Sequence, residues 1–407
     1  MPWHETHVMD ERMSFIVDWQ RDALSFAALC RQYGVSRKTG YKWIDRYKDC
    51  GVDGLKDRSS AAHRHPNQVE ACVTEAVIGV RATHPSWGPK KIKAWLSAKR
   101  PQAVWPAQST IGEILDRRGL VQPRRKRRHV LPHDSPLSPA LAANDVWGID
   151  FKGWFRTGDG ARCEPLSLSD LASRYVLRLQ ALERIDGEQV WTILETAFFE
   201  FGLPRVMRSD NGTPFASVAA GGLSRLGVRL IKAGIVPERI TPGRPQQNGR
   251  HERMHLTLKQ DTASPPAQTL CQQQQRFDVF RTTFNQERPH EALGQTPPAQ
   301  HYDPPPRPYS GRLREPDYAD GQTVRRVRRN GQIKWRGDCL FLSEALIGEP
   351  VGLRETNDGI FEVKYGPIVL GSIDQDGKFT ARKAGSVAGP ARKASTSGLK
   401  SVTQAPG

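Results

Sequence analysis

The chain has 407 residues, 60 Lys+Arg against 43 Asp+Glu, a formal net charge of +17 and a pI near 9.8. That length suggests two to four domains, and the cationic surplus suits a polyanion, nucleic acid above all. Six cysteines (Cys30, Cys50, Cys72, Cys163, Cys271 and Cys339) are scattered without a CxxC pair, the first twenty residues carry charges where a signal peptide would need an apolar run, and no apolar stretch approaches membrane-spanning length. A zinc site, a disulfide framework and a membrane partner are thereby excluded, and the expectation is a soluble cytoplasmic protein with reduced thiols.

In chain order, the first predicted unit is helical. In "SFAALCRQYGVSRKTGYKWIDRYKDCG" the apolar positions Phe26, Leu29, Tyr33, Val35, Tyr41, Trp43, Ile44 and Tyr47 form two helical stripes around Gly34. Ser36 is placed to cap the second helix, so 1–62 reads as a helix-turn-helix domain. Ser36, Arg37 and Lys38 then stand where such a motif meets base edges and phosphates; a helical hairpin with a solvated basic face is the alternative.

A second helical module over 63–122 has start signals at Pro89 and Ser109 and a glycine C-cap at Gly119, which suggests another helix-turn-helix or a winged helix. Next, 123–142 reads as a basic linker. Its run Arg124, Arg125, Lys126, Arg127, Arg128 is suited to lie along phosphates, or is simply solvated.

From 143 to 300, strand hairpins followed by helix, strand, helix, strand and helix point to an α/β layer fold with its site at strand ends. A Pro-rich linker is expected over 301–321. Alternating residues with turn signals at Asn330-Gly331, Asp358-Gly359 and Asp376-Gly377 then predict five or so strands and a small all-β barrel over 322–378, before a disordered basic tail over 379–407.

Three carboxylates have distinctive surroundings. Asp150 lies in the apolar strand "WGIDFKG", where an unpaired charge costs several kcal/mol on an order-of-magnitude scale, so it needs a partner. With Lys152 set aside, a metal or a remote Arg is left. Asp210 ends "RVMRSD" before Asn211-Gly212, a setting that also suits an ordinary turn-forming aspartate. Glu252 stands in the first turns of a helix after "GRPQQNG", where the macrodipole alone favours it. Taken together, hard oxygen donors from two strand ends and a helix start suit Mg²⁺ or Mn²⁺, and a two-metal centre of this kind drives in-line attack on a phosphodiester.

The motifs "WGIDFKG", "RSDNGTPF", "TPGRPQQNGRHERMHLTLK" and "NQERPHEALGQTPPAQHY" resemble those of bacterial insertion-sequence transposases with a retroviral-integrase-like core, closest to the insertion sequence 481 group, over roughly residues 1 to 375. The resemblance implies a ribonuclease H-like core carrying Asp150, Asp210 and Glu252 as an Asp-Asp-Glu triad for two Mg²⁺ or Mn²⁺ ions. The Asp210–Glu252 interval exceeds the usual spacing, which a glycine-rich insertion around "ASVAAGGLSRLG" accounts for; Glu238, in "VPERI", lacks the helix-start context.

It further implies phosphate contacts from Lys259 and Arg253, with Asn211 and Asn248 positioning the triad or touching DNA. Glu252, His255 and Lys259 are expected on one helical face. The C-terminal strands resemble the SH3-like barrel of integrases, with Arg325, Arg326, Arg328 and Arg329 as sequence-independent DNA contacts. The activity implied is binding of terminal inverted repeats, cleavage of the element's 3′ ends and strand transfer into double-stranded target DNA, by a homodimer or larger synaptic assembly at the bacterial nucleoid. A catalytically inactive, transposase-derived DNA-binding regulator is the alternative.

Overall fold

Serines open two of the three helices of the N-terminal unit. Helices α1 (Val8–Arg21), α2 (Phe26–Gln32) and α3 (Arg37–Cys50) pack into a three-helix unit. The Ser25 hydroxyl accepts from Ala28 N–H and the Ser36 hydroxyl from Thr39 N–H, each occupying a donor that the helix leaves unpaired. Phe15, Ile16, Leu29, Cys30, Trp43 and Ile44 form the core. Tyr41, expected in the apolar stripe, is instead 55% exposed at the rim, its ring against Phe26. Gly40 is buried where a Cβ would lie 2.8 Å from Cys30 Sγ, so close helix packing requires the glycine.

The computed structural model describes residues 7–57, 68–121, 137–217, 219–241, 244–304, 307–319, 321–357 and 359–382. The basic run Arg124 to Arg128 and the tail beyond residue 382 lie outside the described residues. Residues 1–68 form one unit and 69–407 another.

In the second unit α4 (Ala71–Thr83), α5 (Pro89–Lys99) and α6 (Gln108–Arg117) enclose Trp87, Ile92, Ile111 and Leu115. Pro89 opens α5 as expected, whereas α6 begins at Gln108 and Ser109 makes no cap. Gly119, at φ +66°, ends α6, with Leu120 N–H returning to Leu115 O. No strand, and so no wing, occurs among the described residues of this module.

The core sheet is built from β1 (Val146–Phe151), β2 (Phe155–Arg156), β3 (Arg162–Asp170) and β4 (Val176–Leu182), then α7 (Gly187–Phe201), β5 (Val206–Ser209), α8 (Arg225–Lys232) and β6 (Val236–Arg239). β1, β3 and β4 form an antiparallel meander, β2 extends the β1–β3 hairpin, and β5 and β6 add parallel to β1. Trp147, Ile149, Leu166 and Leu168 pack one sheet face against Val190, Leu194 and Phe198 of α7, each buried side chain contributing about 1.5–3 kcal/mol. α9 (Gly249–Thr262) and α10 (Leu270–Gln286) cover the other face. This is the ribonuclease H-like arrangement that the resemblance implies.

The C-terminal strands are β7 (Thr323–Arg326), β8 (Gln332–Trp335), β9 (Asp338–Phe341), β10 (Pro350–Asn357), β11 (Ile360–Tyr365), β12 (Ile368–Ile373) and β13 (Phe379–Ala381). Five of them form an antiparallel sheet in the order β13-β12-β11-β10-β7, with β8–β9 a separate hairpin. The region is all-β, and its outer strands β7 and β13 are not paired with each other. β13 carries the ordered sheet to Ala381, past the boundary at 378 expected from the sequence, because Phe379 to Ala381 pair with Gly371 to Ile373.

The expected Pro-rich linker and the glycine-rich insertion both prove to be packed structure. Arg307 donates to Pro204 O (3.0 Å), Tyr309 to Glu195 Oε1 (3.0 Å) and Tyr318 to Pro350 O (2.8 Å), so the Pro-rich segment is strapped across core and sheet. The glycine-rich insertion docks the sheet: Ala220 and Leu223 join Val228 and Ile231 of α8 in one apolar cluster with Leu346, Val351 and Leu370. Gly221 and Gly222 have φ of +64° and +68°, and Arg239 donates to both their carbonyls.

Candidate active site

The β1–β5 register pairs Val146 with Val206 and Gly148 with Arg208. Continued by two residues, it sets Asp210 abreast of Asp150 on the same sheet face, on strands about 4.8 Å apart. Asp210 acts on Asp150: burial, and then the charge of Asp210, push the Asp150 carboxyl up to about 7.

No arginine answers Asp150 among the described residues. Its Oδ2 accepts instead from Asn248 Nδ2 at 2.5 Å. His255 Nδ1 stands 4.0 Å away, but burial pushes that imidazole down to about 3, so it is neutral and leaves the carboxylate uncompensated. Lys152 lies beyond the end of β1, its ammonium over the Phe155 ring. At Asp210, Gly212 N–H donates to Oδ1 at 3.0 Å, so this residue also forms the turn that the sequence suggested.

α9 lies across this sheet face, which is lined by small and polar residues. His251 Nε2 meets Ser169 Oγ at 2.6 Å and His255 Nε2 meets Ser167 Oγ at 2.8 Å, the two rings parallel. Gly148 makes the room: a Cβ there would sit 2.5 Å from His251 Cε1. Sequence reasoning missed His251, Ser167, Ser169 and the role of Gly148. The available signal was that β1 and β3 present Gly, Asp and Ser, rather than large apolar residues, on alternate positions.

Glu252 is exposed on a flank of α9 and adds a further upward push on Asp150. Among the described residues no three His, Cys, Asp or Glu side chains stand together in a metal-ligating set, so Glu252 is near enough to act on Asp150 without joining it and Asp210 in one. Glu238 is committed elsewhere, to Arg208 Nε (2.7 Å) and Ser138 N–H (2.7 Å). Lys259 shares the Glu252 flank and presses on Lys152, whose pKa is lowered by burial first and by Lys259 second. His255, between Glu252 and Lys259 on that side of α9, is buried toward the sheet while the other two are exposed.

Arg253 lies on the opposite flank of α9, apart from Lys259. Asn248 holds Asp150, as noted, whereas Asn211 ties its amide to Ile240 O at 2.8 Å. Ser36, besides capping α3, stands exposed with Arg37 and Lys38. Arg325, Arg328 and Arg329 are exposed, but Arg326 is engaged by Glu315 and Gly348 O.

The chain matches known domains along most of its length. Residues 11–63 match a helix-turn-helix domain, 39–115 a homeodomain-like domain, 140–245 and 233–298 the integrase core domain, and 322–379 the IS481 family transposase C-terminal domain. It is 25% identical to the uncharacterized 39.2 kDa protein of insertion element IS476 from Xanthomonas euvesicatoria, over 66% of this chain and 76% of that protein. A second relative, the uncharacterized 31.7 kDa protein of insertion element IS407 from Burkholderia multivorans, is 27% identical over 44% of this chain and 63% of its own length. A solved HTLV-2 integrase catalytic core domain in complex with magnesium aligns with 40% of this chain and 99% of its own, at 17% identity and a TM-score of 0.32.

Helix-turn-helix modules joined to an integrase core mark the class that the chain resembles, the polynucleotidyl transferases of the integrase type, and these domains imply DNA binding. Within that class its matches are those of a bacterial insertion-sequence transposase with an integrase-like core, IS481-like over its C-terminal domain. No helix among the described residues is long and apolar enough to cross a membrane.

Proposed function

We propose that the protein binds the terminal inverted repeats of its element, cleaves at the 3′ ends and joins the freed ends to target DNA, with Asp150, Asp210 and Glu252 as its catalytic carboxylates. The observation that carries this reading is the pair of aspartates abreast at the ends of β1 and β5 with no Lys or Arg against them among the described residues. Two hard-oxygen donors that repel one another fit divalent cations, and Glu252 is the third carboxylate that α9 offers. These three residues would hold Mg²⁺ or Mn²⁺, which would supply activation of the attacking oxygen and stabilisation of the leaving one.

The chain's own residues do the rest. Asn248 fixes the Asp150 carboxylate, His251 and His255 set α9 against the sheet, and Lys152 and Lys259 present positive charge to phosphate. In cleavage, water attacks the scissile phosphorus, the P–O3′ bond breaks and the 3′-hydroxyl takes a proton. In joining, that hydroxyl attacks a target phosphorus, loses its proton and displaces a target 3′-oxygen. Both steps are phosphoryl displacements, so one set of carboxylates serves both, and holding two ends together calls for at least two copies of the chain.

The test is metal-dependent cleavage and strand transfer on labelled terminal-repeat DNA, with wild type and Glu252→Gln. Products from the wild type and their loss in the variant are expected. Equal activity in the two overturns the triad, and binding without cleavage by the wild type turns the reading toward an inactive DNA-binding regulator.

A further inference from the structure

A cleft of about 1970 Å³ separates the α4–α6 bundle from α9 and α10. On one wall stand Gln108, Ser109 and Gly112, at the start of α6; on the other stand Arg174, Arg250 and Arg253. The walls are joined at one end by Lys90–Glu291 (2.8 Å) and by Ser86, which meets Asp261 (3.3 Å) and Arg288 (3.3 Å). This cleft takes the flank of α9 that carries Arg250, Arg253 and Thr257, while Glu252 and Lys259 occupy the other flank.

Two cations of the cleft have nothing to bind. Arg250 donates to Leu171 O (2.6 Å) and Arg288 to Thr257 and Ser86, but the guanidiniums of Arg174 and Arg253 have no hydrogen-bond or ion-pair partner among the described residues. They crowd one another: burial, then Arg250 and Arg253, push Arg174 down to about 10, and burial, Arg288 and Arg253 lower Lys91 to about 8. Of the five acidic residues lining the cleft, four are already engaged. Asp170 takes Asn144 N–H, Ser173 N–H and the Ser173 hydroxyl, Asp261 lies beside Arg288, Glu113 pairs with Arg117, and Glu291 pairs with Lys90.

The backbone gives an independent pointer. Arg174 sits in the β3–β4 turn at φ +66°, a conformation that glycine adopts freely and a side chain resists. Strain retained at a residue aimed into a charged cleft is motive to look for a ligand. That ligand must be a polyanion long enough to reach both walls, and the helix start facing the arginines is the part of such a module that meets nucleic acid.

We propose that this cleft grips the phosphate backbone of duplex DNA, with Arg174 and Arg253 as contacts on the core wall and the start of α6 on the other. The proposal rests on the reading of the chain as a DNA-processing protein and adds a second hold on the duplex, across α9 from the reacting phosphodiester.

The test uses the full chain in EDTA, with a fluorescent duplex carrying the element's terminal sequence and a random duplex of equal length. Arg174→Gly and Arg253→Gln are each expected to weaken both complexes about tenfold and to reduce the slope of log affinity against log salt by about one. Arg174→Gly should melt at or above the wild-type temperature, because it relieves the turn. Unchanged affinity and slope in both variants overturn the cleft as a DNA wall. Should Arg174→Gly fail to fold, Arg253→Gln, at an exposed helical position, decides alone. Binding in EDTA and strand transfer are separate readouts, so loss of the triad reading leaves this result standing, and the reverse.

Discussion

The two flanks of α9 are opposite in charge and alike in being incomplete. On one, Asp150 and Asp210 face each other at the strand ends with Glu252 near and no cation in contact. On the other, Arg174, Arg250 and Arg253 crowd together, with two of the three guanidiniums unpartnered among the described residues. Like charges left unneutralised cost stability in the isolated chain, so both flanks are built for what binds them. Cations complete the first and phosphates the second, which makes DNA with divalent metal the complement of the helix as a whole.

The largest expected effect falls on the acidic flank alone. Asp210→Asn should lower strand transfer on the order of a thousandfold and bring the Asp150 carboxyl down from about 7 toward the ordinary range, since the second cause of its rise is removed. DNA affinity in EDTA should not fall. A variant that kept its strand-transfer rate would end the assignment of Asp210.

Gly148→Ala should damage both flanks together, because Gly148 admits the histidine that seats α9. A Cβ 2.5 Å from His251 Cε1 forces helix and sheet apart, and a destabilisation of about 3 kcal/mol is expected from overpacking. Chemical denaturation measures it. If strand transfer fell while cleft binding and stability held, α9 would not be the shared spine inferred here.

The histidines also give α9 an acid limit. The His251 pKa is pushed down to about 4 by burial, against an ordinary value of 6.5, so the unfolded chain takes up the proton first as pH falls. The stabilisation is complete above pH 6.5 and is lost between 6.5 and about 4, by up to about 3 kcal/mol. Melting temperature should drop across that window, and His251→Gln should flatten the drop; equal slopes in variant and wild type would exclude His251 as its source.

Much of this was legible in the sequence, and the exceptions share a cause. The Ser36 cap, the Pro89 start, the turn at Asn330-Gly331 and the hairpin-then-crossover order of the core follow from local chemistry, and local chemistry is written in neighbouring residues. The roles of Gly148 and Arg174 are tertiary: one shows its purpose only when His251, 103 positions on, lies over it, the other only when α4–α6 closes a cleft beside it. The glycine-rich insertion was visible as extra length, but its use as a dock for the C-terminal sheet depends on residues more than a hundred positions away. The turn at Arg336-Gly337 escaped notice because an arginine at φ +49° lacks the Asn or Asp that usually marks such a bend.

The smallest effect is the finest test of the comparison. Lys259 shares a flank with Glu252 and is near enough to Lys152 to lower its pKa, so Lys259→Gln removes one cation and strengthens the protonation of the other. Partial compensation should limit the loss of strand transfer to about tenfold, roughly one charge-assisted phosphate contact. Binding in EDTA should change far less than with Arg253→Gln, since Lys259 lies outside the cleft. Equal losses of binding from the two substitutions would mean that one duplex wraps α9 continuously and that its flanks are a single surface; unequal losses would separate the hold on DNA from the site where it reacts.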